Sequence, residues 1–348
     1  MSTQDASSSA PSESQPEPNA SVAPNEELEV SASETPSEES GNAGSETSVG
    51  KSKRIPRPST ISSRILWPYV VAFVGFHLLF PLAFVPYLFS WTGVALVFIG
   101  NYVFCSTGIG LCFHRTLTHR GLVLPKWLER TFAVFGVCSL MDSPARWVAI
   151  HRMHHQFSDQ QEDPHSPLAG FFWGHVGWLL RENTNLSHIN MYEKYARDVL
   201  RDPFYLWMER YYRWAWIYFA HAVLFFLAGL GIGWATGGTA EAGLQCGLRL
   251  LMWGVVVRTI YTWHITWAVN SVSHVWGYRN HETSDDSRNN WLVALATNGE
   301  GWHNNHHAKP TSAAYGHRWW ELDVTYMTIR VLEFLGLATD VKDLRDSH

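Results

Sequence analysis

Residues 65–89 read ILWPYVVAFVGFHLLFPLAFVPYLF, without one Asp, Glu, Lys or Arg. About 20 residues of helix cross the hydrocarbon of a bilayer, so this run is long enough to span. A short uncharged turn over residues 89–93 leads to a second such run, residues 94–113, VALVFIGNYVFCSTGIGLCF. Two buried helices of a large soluble core would also be apolar. Two adjacent charge-free runs of this length are better explained by a hairpin in a membrane.

The pattern returns near the C-terminus, as a run over about residues 214–235, a glycine-rich turn whose only charge is Glu241, and a run over about residues 244–269. Arg249 and Arg258 interrupt the last run; charge inside a membrane is costly unless it is paired or sits at an edge. Between the hairpins, residues 114–213 are mixed and polar. Residues 122–140 contain Lys126, Glu129 and Arg130 and read as an interfacial or cytosolic helix. Residues 170–180 are aromatic-rich but too short to cross. The expected fold is an all-α integral membrane protein, with four transmembrane helices and a cytosolic helical cap. Lys and Arg are dense in the cap segments and absent from the two turns, which by the positive-inside rule places the cap in the cytosol.

The first fifty residues hold ten acidic residues and no Lys or Arg, amid Ser, Pro, Ala and Gly. Such a segment cannot bury enough apolar surface to offset its ordering entropy. Residues 1–60 are therefore expected to be a disordered acidic tail with a basic end, followed by a membrane domain over residues 61–348. The tail's acidity accounts for the net charge of −5 and says nothing of a substrate. It lacks the basic start and apolar centre of a secretory signal. Cys105, Cys112, Cys138 and Cys246 have no framework spacing, so reduced thiols are expected.

Histidine is the chemical signal. Nine of the 18 histidines fall in four short clusters: His114 and His119; His151, His154 and His155; His274, four residues after Asn270; and His303, His306 and His307. Positions i, i+3 and i+4 share one face of a helical turn, and neutral imidazole is the commonest transition-metal ligand. All four clusters lie at the ends of spans or in the cap, so two hairpins bring them to one side of the membrane. His114 and His119 are the awkward pair, because five residues apart on an α-helix is about 140° out of phase. They either straddle a fraying helix end or serve different ions. Glu300-x-x-His303 occurs once, between glycines, and reads as chance or as a group behind the ligands. His77, His221 and His264 lie inside spans and read as core residues. His165 and His175 are plausible partners of the ligands, and His188, His281 and His317 read as loop residues.

These boxes, together with Asp163-Pro164-His165, Gly174-His175-Val176-Gly177-Trp178 and Trp319-Trp320-Glu321-Leu322-Asp323, resemble the membrane fatty acyl desaturases of the stearoyl-CoA 9-desaturase type over roughly residues 60–342. The resemblance implies a di-iron centre, with two Fe ions held by His114, His119, His151, His154, His155, His274, His303, His306 and His307, and with Asn270 acting through a water. Trp267 matches a family tryptophan that holds the acyl carbonyl. The vertebrate acyl-CoA enzymes carry charge just before the second box, where this chain has Ala149 and Ile150. That is closer to bacterial and plant members and leaves the acyl carrier open, between CoA and lipid forms.

The implied activity is an O2-dependent desaturation placing a cis double bond, at Δ9, in a long-chain saturated fatty acyl chain. Removing hydrogen from an unactivated methylene needs an oxidant that no side chain supplies. No haem or flavin segment is recognisable, so electrons are expected from a separate donor of ferredoxin or cytochrome b5 type. Partners are the lipid bilayer, the acyl substrate and that donor, and no nucleic acid. If the acyl tail runs back beside the second span, its methyl end lies on the order of 10 Å from the irons, or seven to eight residues before His114 at about 1.5 Å each. That points to Ser106, whose small side chain leaves room for a long tail, with Tyr102 one turn further out closing the tunnel. The rival readings are a hydroxylase or ketolase on the same scaffold, and a histidine-rich membrane metal transporter, which would place ionisable groups along its spans.

Overall fold

The protein, seen in a computed structural model, is described over residues 54–187 and 189–345. Most of the expected acidic tail, residues 1–53, lies outside the described residues, as do His188 and His348. The first span is α1, Trp67–Phe84, and the second is α2, Trp91–Thr118. The first stops short of the expected residue 89 because Val85, which precedes Pro86, is extended, the conformation a following proline favours. Ser90 then caps α2 by accepting from the amide of Gly93 at 3.3 Å. α2 does not end at residue 113; it carries on through His114 to Thr118.

The segment expected to lie at the surface descends instead. Helix α3, Lys126–Val137, runs back along α2. Cys112 Sγ meets the Glu129 carbonyl at 3.4 Å, and the rings of Phe104 and Phe135 are 5.6 Å apart. A Cβ on Gly108 would lie 2.3 Å from the backbone nitrogen of Gly136, so the crossing needs glycine. The chain turns through Leu140 and Asp142, both with positive φ, and climbs again as α4, Pro144–Phe157. Irregular backbone packed among spans needs partners for its polar groups. The guanidinium of Arg258 donates to the Cys138 carbonyl at 2.8 Å and the indole of Trp263 to the Leu140 carbonyl at 3.0 Å. Arg258 is thus held by carbonyls and by the face of Phe104, 4.3 Å away, rather than by a carboxylate. Arg249 sits at the edge, its Nε on the Tyr87 carbonyl at 3.0 Å.

The second hairpin is α5, Arg213–Gly237, and α6, Ala240–His274. Gly238, at φ 66°, ends α5 with its amide on the Trp234 carbonyl, and Thr239 caps α6. The two helices pack through small residues; a Cβ on Gly233 would lie 2.3 Å from the Ala242 carbonyl oxygen. The cap is completed by short helices α7, Trp291–Ala296, α8, His303–Ala308, and α9, Val324–Phe334. The all-α expectation needs one small amendment: β1, Ile61–Ile65, pairs antiparallel with β2, Arg181–Asn183, just before the first span.

Candidate metal centre

The four histidine clusters meet. His114 and His119 lie at the end of α2, where residues 101–118 are bonded as a π-helix. Its turns close over five residues rather than four, so the amide of His119 bonds the carbonyl of His114 and the two rings come to 5.0 Å. The five-residue spacing is therefore neither fraying nor a sign of separate ions. Thr116 and Thr118 donate their hydroxyls to carbonyls five residues back, at 2.8 and 2.7 Å, in the same register.

The ligand nitrogens form two groups, each with all its members within 4.8 Å of one another: His114, His119, His151, His155 and His306; and His154, His274, His303 and His307. The triplets on α4 and α8 are not given whole to one site. Each helix sends one histidine to the site that takes fewer of its rings and two, four apart, to the other. Two nitrogens about 2.1 Å from one ion and at right angles would be about 3 Å apart. The observed Nε2 separations are 3.0 Å for His114 and His306, 2.9 Å for His155 and His306, 3.0 Å for His274 and His303, and 3.3 Å for His154 and His307.

Behind the rings stand carboxylates. His154 Nδ1 donates to Asp163 at 3.0 Å, His274 Nδ1 to Asp159 at 2.7 Å, His307 Nδ1 to Asp285 at 2.6 Å, and His114 Nδ1 to Glu300. Fixing the proton on Nδ1 turns the lone pair of Nε2 inward, the arrangement that orients metal-binding histidines. Burial, and then the neighbouring imidazoles, push His119, His151, His155, His303 and His306 well below the usual range, so they stay neutral. Burial opposes ionisation of Glu300, but Arg115 and His114 outweigh it and hold the carboxyl at about 2. The buried Nε2 of His119 has no hydrogen-bond partner. Converging neutral donors, one of them orphaned, fit metal ions.

Two arginines brace this layer. Arg115, fully buried, donates to Glu300 at 2.8 Å and to Asp323 at 2.9 Å and lies 3.9 Å over the ring of Tyr315. Arg152, between the histidines of α4, bonds the carbonyls of Leu117 and Thr118 at the end of α2 and pairs with Asp198 at 2.7 Å. The sequence reading missed Asp159, Asp285, Arg115 and Arg152. The acid partners lie 9, 22, 115 and 186 residues from their histidines, and only the first interval is short enough to notice.

A cavity of about 1430 Å³ reaches both groups; His114, His151, Asn270, Glu300 and His303 line it. It is larger than the roughly 300–1,000 Å³ of ordinary small-molecule pockets. Trp267 and Ser106 lie in its wall. The hydroxyl of Ser106 accepts from Asn298 at 2.6 Å. Tyr102 does not line it: the ring points out of the bundle and its hydroxyl meets Thr328 at 2.9 Å. Outside the metal groups, His175 and His264 are 3.0 Å apart and His264 and His77 2.9 Å, a row behind Trp267. His281 and His317 form a separate pair at 2.8 Å.

Four apolar spans, two converging histidine groups and a large cavity that touches both define a multi-span membrane protein with donors able to hold metal beside a large cavity. Residues 89–331 match the fatty acid desaturase family, and the chain belongs to that family. It is 40% identical over 288 residues, 83% of this chain and 84% of the relative, to the sn-1 stearoyl-lipid 9-desaturase of Synechocystis sp.. It is 40% identical over 281 residues, 80% of this chain and 91% of the relative, to the sn-2 palmitoyl-lipid 9-desaturase of Nostoc sp.. It is also 40% identical over 275 residues, 79% of this chain and 81% of the relative, to the acyl-CoA C20 Δ5-desaturase of Anemone leveillei. The protein is a membrane-bound fatty acid desaturase.

Proposed function

We propose that the protein is an O2-dependent di-iron desaturase that places a cis double bond at Δ9 of a long-chain saturated acyl chain carried by a membrane lipid. The observation that carries this reading is a cavity that meets both histidine groups. The Synechocystis and Nostoc relatives are named as lipid 9-desaturases. The nine histidines would hold two irons, which when bound supply the activation of O2. One turnover converts –CH2–CH2–, O2, two electrons and two protons into –CH=CH– and two waters.

The chain's own groups do the rest. Asp159, Asp163, Asp285 and Glu300 keep the imidazole lone pairs turned inward. Asn270, one turn before His274, faces the cavity and has no hydrogen-bond partner among the described residues, which suits a water bridge to metal. The indole N–H of Trp267 is likewise free to donate to the acyl carbonyl. Ser106 stands where the methyl end would stop. The basic cap lies in the cytosol, where a separate donor of ferredoxin or cytochrome b5 type delivers electrons. Residues 61–348 form the catalytic unit, and removal of residues 1–50 leaves activity intact.

The test is expression in a desaturase-deficient host, with the new double bond located by mass spectrometry. A Δ9 monoene in membrane lipids is the expected result. A hydroxylated or keto product, or no new product from well-inserted protein, overturns the reading.

A further inference from the structure

The exposed apolar surface of the molecule does not end with the four spans. In the cap, α7 exposes Trp291, Leu292 and Leu295, and α9 exposes Met327, Val331 and Phe334, the last of these 90% exposed. Met327, Val331 and Phe334 are spaced i, i+4 and i+7 and so form one stripe along α9. Thr325, Tyr326 and Ile329 are buried on its inner side. A helix that packs one face inward and keeps an apolar stripe outward marks a contact surface rather than a face for water.

Contacts along α2 give the level of the stripe. Asp323, just before α9, pairs with Arg115 at 2.9 Å; a Cβ on Gly110 would lie 3.6 Å from the Thr325 hydroxyl; and Thr328 meets the Tyr102 hydroxyl at 2.9 Å. α9 therefore runs down α2, away from the histidines. α7 ends equally low, where the carbonyl of Ala296 accepts from the Asn101 amide and from the Tyr261 phenol, each at 3.5 Å.

The first hairpin places that level within the bilayer. α1 crosses in 18 residues, and the same count up α2 from the shared turn, beginning at Trp91, ends at Gly108. Tyr102 lies six residues inside this limit, about 9 Å at a rise of about 1.5 Å each. That depth matches the roughly 5–10 Å to which an interfacial helix sinks its apolar face. Arg330 and Glu333 pair at 2.5 Å on one flank of the stripe, and the long stem of arginine lets its head reach the headgroup layer. Phe98 and Ile99 continue the exposed apolar surface down α2. No polar break separates the cap helices from a face that meets lipid.

We infer that α7 and α9 form a shelf sunk into the cap-side leaflet and covered by the acyl chains of the bilayer, a membrane attachment in addition to the four spans. The segment between the two helices carries His303, His306 and His307, so the last histidine cluster is seated in the membrane from both sides. The inference does not depend on the acyl carrier or on the position of the double bond.

The test is spin labelling of the full-length protein in phosphatidylcholine vesicles. Cys105, Cys112 and Cys138 are buried, and Cys246 is replaced by alanine. Single labels are then placed through Phe334→Cys and Leu295→Cys, with Phe98→Cys on α2 as the lipid reference and Arg201→Cys as the water reference. All four side chains are exposed, so the substitutions leave the packing alone. Oxygen concentrates in hydrocarbon and a nickel chelate stays in water. The labels at positions 334 and 295 are expected to be relaxed by oxygen and shielded from nickel, as at position 98. Relaxation by nickel, as at position 201, would place these faces in water. Shielding from both reagents would mean that a protein, such as a second copy of this chain, covers them. Either of those results overturns the inference.

Discussion

The amide of His119 donates to the carbonyl of His114 at 3.1 Å, closing a turn one residue wider than an α-helix allows. That bond puts both rings in one five-histidine group. The hydroxyls of Thr116 and Thr118 hold the same register. Replacing both by valine keeps the side-chain shape and removes these bonds. The expected outcome is a protein that still inserts but retains less metal than the natural protein, by elemental analysis of purified enzyme. Unchanged iron and activity would mean that the backbone bond alone holds the turn.

Ser106 lies in the cavity wall, fully buried. Ser106→Leu is expected to shift preference from an 18-carbon to a 16-carbon chain. Overpacking a fitted site costs roughly 1–3 kcal/mol, enough for about a tenfold change in selectivity. Competition between the two chains measures it. Ser106→Ala, which also frees the amide of Asn298, separates lost space from the lost hydrogen bond. Tyr102→Ala should leave the product ratio alone, because that ring faces away.

Arg115 is buried between Glu300 and Asp323. Removing one member of a buried ion network strands the others at a cost of about 3–5 kcal/mol. Arg115→Met is therefore expected to lower the unfolding temperature in detergent sharply and to release iron on mild heating. An unfolding temperature within a degree or two of the natural protein's, by intrinsic fluorescence, counts against the network.

Metal-free protein should be acid-labile. Unfolded histidines take up protons near 6.5, whereas burial holds His119, His151, His155, His303 and His306 neutral far below that. As pH falls below about 6.5 the unfolded chain binds more protons than the folded one, so stability falls with it. Asp198 acts later. Burial raises its carboxyl, but Arg152 and Arg120 bring it down to about 2 from 3.8, so its contribution is complete above about 4 and disappears as pH falls through 2. Unfolding temperatures of chelator-treated enzyme should be flat above pH 7 and decline from 6.5 to 5. A flat profile down to pH 5 would sink this account.

Much of this was legible in the chain. Charge-free runs announced α1 and α2 because two adjacent runs of that length suit a bilayer better than a soluble core, and the histidines announced a metal centre because their spacing repeats. The descent of α3 was hidden by Lys126, Glu129 and Arg130. These lie on its upper turns, where Lys126 bonds Glu129 and Arg130 bonds Asp202, so their charge says nothing of the turns below. The carboxylates behind the rings were hidden by distance along the chain. Tyr102 was misplaced because the π-bonded stretch begins at Asn101 and alters the phase between it and Ser106. Propensity does not reveal where a helix widens.

Ser106 and His114 stand on one helix, and Trp267 and His274 on another. In the proposed complex the methyl end of the substrate is measured from the metals along α2 and the carbonyl end along α6. Reach and regiochemistry then have separate rulers sharing one zero. Selection can lengthen or shorten the acceptable chain by trading residues on α2 while the oxidised carbons keep their number from the carbonyl. A family on this plan can diversify in one trait without disturbing the other.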